Sequence, residues 1–152
     1  MWEADRSRAV QHGYVGRFKE YNVYMRRYGH PRVALVYPST YQASITNLFT
    51  HLSYYFLVER SDSLVDRFTL DNPARGALTG RRLTDFDLLL ASASYELDLL
   101  YLVKLLSEAG VEVLRRRRGG KPLLVVGGLA AMANPEPFLE VADAVFIGEG
   151  EP

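Results

Sequence analysis

The sequence predicts an α/β fold with a five-stranded parallel sheet, and two observations support this. Short apolar runs recur along the chain, at residues 32–37, 64–70, 87–92, 122–126 and 144–147. Most of them show little polar alternation, which is typical of strands buried on both faces. Helical or irregular segments separate the runs, and such alternation indicates parallel strands joined by right-handed crossovers.

The first two strands are predicted at residues 32–37 and 64–70, the second being more polar and therefore suited to a sheet edge. Ser39 and Thr40 are suitable helix caps after the first strand. One helix is predicted to follow them and to end near Arg60, because apolar residues recur on one face of it: Ile45, Leu48, Phe49, Leu52 and Phe56.

The middle of the chain predicts an irregular crossover and a second helix. Residues 71–86 contain Asn72-Pro73, Gly76 and Gly80, which are typical of loops. After the third strand, a helix is expected to begin near Tyr95, with Glu96 and Asp98 complementing its dipole, and to end at Gly110. Its predicted buried face comprises Leu99, Leu102, Val103 and Leu106.

The last third predicts two more strands around a short helix. Residues 115–120 form a charged turn before the fourth strand, which Gly127-Gly128 ends. Asn134 as N-cap and Pro135 as first helical residue predict a helix through Val141. The whole pattern predicts a Rossmann/flavodoxin-like three-layer sandwich, with sheet order 2-1-3-4-5 and helices on both faces. Residues 1–31 are expected to be a leader that packs on the domain formed by residues 32–152.

Composition excludes several functions for this chain. Its 152 residues suit one domain, and the formal net charge is zero, so nothing global indicates a polyanionic partner. The absence of cysteine excludes disulfides, thiolate metal sites, iron–sulfur ligation and a cysteine nucleophile. No apolar run reaches the roughly 18 residues that span a bilayer, and the acidic N-terminus is unlike a signal peptide. We therefore expect a cytoplasmic protein without a membrane partner.

Small or polar residues follow four of the five predicted strands. In an open parallel sheet, ligands bind beyond the carboxyl ends of the strands, where glycines permit close approach and helix N-termini attract anions. Any single loop is explained by the turn it must make, but several on one edge predict a site for a phosphate or cofactor tail. The predicted cofactor-binding residues are Ser39, Thr40, Tyr41, Ser92, Ser94, Tyr95, Glu96, Gly127, Gly128, Gly148, Glu149 and Gly150.

Other motifs are weaker. A complete G-x-G-x-x-G after the first strand and a Walker loop are both missing, which argues against a conventional dinucleotide or P-loop site. His12, His30 and His51 lack metal-ligand spacing, so neither metal ligands nor catalytic residues are predicted. The run Arg115–Arg118 is interpreted as a solvated turn, with an RNA or acidic-protein contact as the alternative. Arginines and tyrosines within residues 1–31 leave two interpretations open: a leader that packs on the domain or an RNA-contacting arm.

Four segments carry a family resemblance over roughly residues 30–152. They resemble the N-terminal, cobalamin-binding-like domain of radical S-adenosylmethionine proteins, with an uncharacterised group as the nearest match. The most specific part is the closing Gly-Glu-Gly-Glu with Asn-Pro-Glu-Pro shortly before it. The segments are residues 33–41, 85–97, 127–137 and 143–151.

The resemblance implies an accessory domain that positions substrate or a cobalamin-like cofactor over the mouth of a radical S-adenosylmethionine barrel. The barrel would follow in a longer protein and carry a C-x-x-x-C-x-x-C motif, the [4Fe-4S] cluster and S-adenosylmethionine, so this chain is not expected to be catalytic alone. Where cobalamin-binding relatives have D-x-H-x-x-G, this chain has residues 38–43 without histidine. Cobalamin binding without a histidine ligand is compatible with the resemblance, and so is a domain that has lost the cofactor. Ser92, Ser94, Gly127 and Gly128 fall where relatives line the nucleotide tail.

Two other functions remain open from the residues alone. One is an independent binding module for cobalamin, flavin or a nucleotide at the same loops. The other is an RNA or protein interaction module that uses the arginine-rich segments.

Overall fold

The computed structural model describes residues 11–15, 18–22 and 25–149. Near the N-terminus, β1 (Gln11–Val15) and β2 (Phe18–Asn22) form an antiparallel hairpin in which Gln11 lies opposite Asn22. This hairpin falls within the segment that the sequence predicts as a leader. The predicted packing of that leader, and its arginine and tyrosine side chains before residue 25, lie outside the described residues.

A five-stranded parallel sheet forms the centre of the domain. Its spatial order is β4-β3-β5-β6-β7, which confirms the predicted order 2-1-3-4-5 and the Rossmann/flavodoxin-like fold. β3 lies between two neighbours, with Val33 opposite both Val65 and Leu88. The strands are β3 (Arg32–Tyr37), β4 (Leu64–Thr69), β5 (Leu88–Ser92), β6 (Leu123–Gly127) and β7 (Ala144–Val145).

Helices lie on both faces of this sheet, as predicted. They are α1 (Tyr41–Ser44), α2 (Leu48–Arg60), α3 (Asp98–Glu108) and α4 (Leu129–Ala133), with 3-10 turns at Leu83–Asp85, Arg115–Arg117 and Glu136–Glu140. Tyr54 and Val58 of α2 pack on one face, against Leu35 and Val65. The larger core lies on the other face, where α3 contributes Leu102, Leu105 and Leu106. None of the helices described is long and apolar enough to cross a membrane.

The first predicted helix is two helices. Thr40 caps α1, and Asn47 restarts the chain as the cap of α2, where its side-chain oxygen accepts a hydrogen bond from the Thr50 amide. The predicted apolar face is consequently wrong in part: Ile45 and Leu48 are exposed, whereas Thr50, Tyr54 and Val58 are buried. A helix that begins at a new cap presents a different stripe to the sheet than one continuous from Thr40.

The segment after β6 also differs from its prediction. Leu129–Ala133 forms the short helix α4, which the sequence pattern did not indicate, and Asn134 ends this helix instead of capping the next one. Pro135 precedes a 3-10 turn at Glu136–Glu140, so the predicted helix through Val141 is tighter and shorter than expected. β7 pairs over only two residues, which leaves Phe146 and Ile147 outside the sheet.

The edge strand β4 is buried along its whole length, including Asp66 and Arg67. The crossover that follows it explains this, because residues 76–79 fold back over the strand. The Ala77 amide donates to the carbonyl of Arg67 at 2.9 Å, and the Leu78 and Thr79 amides donate to the Asp66 carboxylate, each at 2.9 Å. A Cβ at Gly76 would overlap that carboxylate, which explains the glycine there. The crossover is therefore irregular, as predicted, but firmly attached.

Candidate functional site

The loops after β5, β6 and β7 are joined at the carboxyl edge of the sheet. The Ala93 amide donates to the carbonyl of Gly127 at 2.8 Å, and the Ala130 amide donates back to Ala93 at 3.1 Å. The Phe146 amide donates to Val126 at 2.8 Å, which brings the end of β7 alongside. The loop after β3 belongs to the same edge, because β3 pairs with β5.

The β3 loop uses its polar groups within the protein. Thr40 Oγ1 accepts a hydrogen bond from the Ala43 amide at 3.3 Å, and the Ser39 carbonyl accepts one from the Leu70 amide at 2.8 Å. The Tyr41 amide donates to Asp71 Oδ1 at 2.9 Å. The Tyr41 side chain is buried, and this burial raises the pKa of its phenol. These contacts attach the β3 loop to the segment after β4.

The β5 loop is closed by a carboxylate from its own helix. Asp98 Oδ2 accepts hydrogen bonds from the Ser94 amide at 2.6 Å and the Tyr95 amide at 3.0 Å. Such charge-assisted bonds are strong, so these two amides already have the anionic partner that a phosphate would otherwise be. Ser92 is buried, while Tyr95 and Glu96 are exposed. The sequence placed Asp98 in the first turn of a helix but did not indicate which amides it would bind.

The described glycines near the ends of β6 and β7 lie close to other atoms of the protein. Gly128 has a φ of +102°, and a Cβ there would overlap the carbonyl oxygen of Ala93. A Cβ at Gly127 would lie 3.6 Å from Cβ of Phe146. Glu149 is exposed beyond Gly148, whose φ is +145°. Gly150 lies outside the described residues.

These contacts bear on whether the edge suits a cobalamin tail. The amides of Ser94 and Tyr95 are already bonded to Asp98, and Gly128 packs against the backbone of Ala93. His51 Nε2 lies 2.6 Å from the Ile45 carbonyl oxygen, and no group of three metal-ligating side chains occurs within residues 25–149. In this arrangement the amides of Ser94 and Tyr95 are not free to bind the phosphate of a cobalamin nucleotide tail.

Exposed apolar side chains are the feature of this edge that sequence reasoning missed. Tyr95 in the β5 loop is 72% exposed and Leu129 at the start of α4 is 71% exposed, although the segments that carry them contact each other. We call the exposed apolar set from the three neighbouring loops the carboxyl-edge patch: Tyr95, Leu97, Leu129, Met132, Phe146 and Ile147. The available signal was that Leu97 lies outside the predicted buried face of its helix.

The arginine run lies at the opposite end of the sheet, before β6. Arg115, Arg116 and Arg117 are exposed, which agrees with a solvated turn. Arg118 is not solvated: only 2% of its side chain is exposed, its guanidinium donates to the Val141 carbonyl, and it lies 3.5 Å from Asp143. One member of the run is therefore a structural residue that fastens the turn to the segment before β7.

The fold and its strand-end loops define an open, Rossmann-like α/β domain with a candidate site at the carboxyl edge. Residues 50–152 match the family model described as the N-terminal region of radical SAM proteins, in which SAM is S-adenosylmethionine. The chain belongs to this family. The match supports the resemblance as far as the radical SAM family, but it does not extend to the cobalamin-binding part.

One curated relative is similar to most of the chain. The chain is 27% identical over 119 residues to an uncharacterized protein of Methanocaldococcus jannaschii, and the alignment covers 78% of this chain. It covers 24% of the relative, so the chain spans about a quarter of that protein's length. No solved structure matches the chain.

Proposed function

We propose that this chain is the accessory N-terminal domain of a radical SAM protein and positions substrate over the catalytic barrel, which lies elsewhere in the protein. The observation that carries the proposal is the family match over residues 50–152, in a chain without cysteine. Cluster cysteines are needed to hold the iron–sulfur centre of such chemistry, so another part of the protein must supply them.

The role of the domain in this proposal is binding and orientation. Holding a substrate in the geometry of reaction contributes to the rate without any reacting group from the domain itself. The carboxyl edge is the favoured place for this role, because parallel α/β domains bind their ligands there.

Comparing the chain with the product of its complete natural gene tests the proposal. We expect the complete protein, reconstituted with iron and sulfide and reduced with dithionite as the electron donor, to cleave S-adenosylmethionine reductively to methionine and 5′-deoxyadenosine. The isolated 152-residue chain should hold no cluster and show no cleavage. Cleavage by the isolated chain, or a complete protein that cannot hold a cluster, would contradict the proposal.

A cobalamin-binding role is the second candidate, favoured by the meeting of four strand-end loops at one edge. The bonds from Asp98 and the backbone contact of Gly128 argue against it. A cobalamin titration of the chain, followed by visible absorbance and thermal unfolding, distinguishes the two. A ligand at 100 times its dissociation constant stabilises a protein by about 2.7 kcal/mol. We expect no such gain, and a base-off spectrum with raised stability would establish cobalamin as the bound group.

A further inference from the structure

We propose that the carboxyl-edge patch is the surface through which this domain docks onto the catalytic domain of the radical SAM protein. The inference rests on the proposed function and adds the surface and the chemistry of its partner. The patch comes from three loops that follow neighbouring strands, β5, β6 and β7.

The loops that carry the patch contact one another. The Ala130 amide at the start of α4 donates to the carbonyl of Ala93 in the β5 loop, which brings Leu129 beside the loop that carries Tyr95. Gly127 lies against Phe146, which connects the β6 loop to the end of β7. Several large exposed apolar side chains on adjoining loops are typical of a binding surface.

The kind of occupant follows from how the edge satisfies its polar groups. A phosphate or nucleotide needs free amides, but those of Ser94 and Tyr95 are bonded to Asp98. The β5 and β6 loops pack backbone against backbone at Gly128, where there is no room for an added methyl group. Large exposed apolar side chains that include tyrosine, phenylalanine and methionine are typical of the core of a protein–protein interface.

Charge at the rim of the patch makes a second copy of this chain an unfavourable occupant. The exposed acidic residues Glu96 and Glu149 flank the patch. The loop segments 38–48, 92–98, 127–134 and 146–149 contain no lysine or arginine. Two such edges brought together would oppose like charges, which is unfavourable in an interface. The partner surface should therefore be apolar at its centre and basic at its rim.

The catalytic domain is the occupant to which these observations point. The family match describes an N-terminal region, and about three quarters of the curated relative lies outside the alignment. Phe146 and Ile147 follow β7 and contribute exposed apolar side chains to the patch.

Site-specific photo-crosslinking in the product of the complete natural gene tests the surface. Benzoylphenylalanine is placed at Leu129 in the patch or at Leu139, a control leucine that is 44% exposed on the 3-10 turn preceding β7. Crosslinked peptides are then identified by mass spectrometry. We expect Leu129 to capture peptides of the region that carries the three-cysteine motif, with a yield at least about tenfold above that of Leu139.

The outcomes separate the docking surface from the proposed function. Capture of the catalytic region from Leu139 but not from Leu129 overturns the surface and leaves the accessory role intact. Capture of a second copy of this chain from Leu129 overturns the choice of partner. If neither position captures a catalytic region, the surface is wrong, and cleavage by the complete protein decides the accessory role separately. Urea unfolding of both substituted proteins checks that each is folded.

Discussion

Asp66 shows how one side chain fastens a whole crossover to the sheet. It is fully buried on β4, where it accepts hydrogen bonds from the amides of Arg67, Leu78 and Thr79 and from the Thr79 hydroxyl. Burial raises the pKa of this carboxyl, and the hydrogen bonds oppose that effect. The Asp66 carboxylate thus binds the crossover that covers this edge strand.

Asp66→Ala is expected to lower the free energy of unfolding by about 3 kcal/mol or more, because it leaves several buried donors unsatisfied. Urea unfolding measures the change. The matched control is Asp62→Ala: its side chain is fully exposed and lies 3.6 Å from Arg26, and the substitution should stay within about 0.5 kcal/mol. Equal effects of the two substitutions would show that the crossover does not depend on Asp66.

Asp87, which directly precedes β5, should make the stability of the protein depend on pH. The Arg32 amide donates to its carboxylate at 3.0 Å and Lys121 Nζ donates at 3.1 Å; together they lower the pKa of Asp87 below its ordinary 3.8. A carboxyl whose pKa is lowered by folding stabilises the native state above its ordinary pKa, and this contribution disappears as the pH falls through the lowered value.

Asp87→Asn should therefore unfold more easily than the wild type near neutral pH, with a difference that shrinks below about pH 4. Urea unfolding of both proteins across this range checks the expectation. A difference that stays constant with pH would mean that the carboxylate contributes no charge-dependent stability at this position.

At the scale of elements, Gly128 determines how closely the β5 and β6 loops approach. Gly128→Ala adds a methyl group that overlaps the Ala93 carbonyl, at a backbone conformation that L-residues rarely adopt. We expect a loss of at least about 2 kcal/mol in the free energy of unfolding. Gly120→Ala is the control, since Gly120 has a φ of +90° but no atom within 4 Å of the added carbon, and it should cost about 1 kcal/mol. Equal losses would show that backbone conformation alone decides the effect.

The whole molecule combines a fully packed core with an apolar edge that is left exposed. Leu124 on β6 is 0% exposed, whereas Leu129, five residues later, projects from the carboxyl-edge patch. Leu124→Ala should cost about 2–5 kcal/mol in the free energy of unfolding, and Leu129→Ala should stay within about 0.5 kcal/mol. A large loss of unfolding free energy in Leu129→Ala would show that Leu129 stabilises the fold and would argue against a role in binding a partner.

The sequence by itself determined the sheet and the place of the candidate site. The apolar runs and the intervening helices predict parallel strands, whose carboxyl ends and following loops must lie at one edge, and the predicted Rossmann/flavodoxin-like fold has the order β4-β3-β5-β6-β7 that is observed. Local signals such as Gly110, with its φ of +74° after α3, are read equally well, because they depend on a few neighbouring residues.

The tertiary structure alone decided which side chains these elements bury and which backbone groups remain free. The contacts of Asp66 with Thr79 and of Arg118 with Asp143 join residues far apart in sequence, so no local pattern predicts them. Periodicity gives the apolar surface of an element but not the neighbours that cover it, which is why Leu48 is exposed and Thr50 buried. For the same reason, the sequence predicts a polar ligand site at the carboxyl edge but not the contacts made there. In the folded protein, the amides of Ser94 and Tyr95 are bonded to Asp98 and Leu129 is exposed.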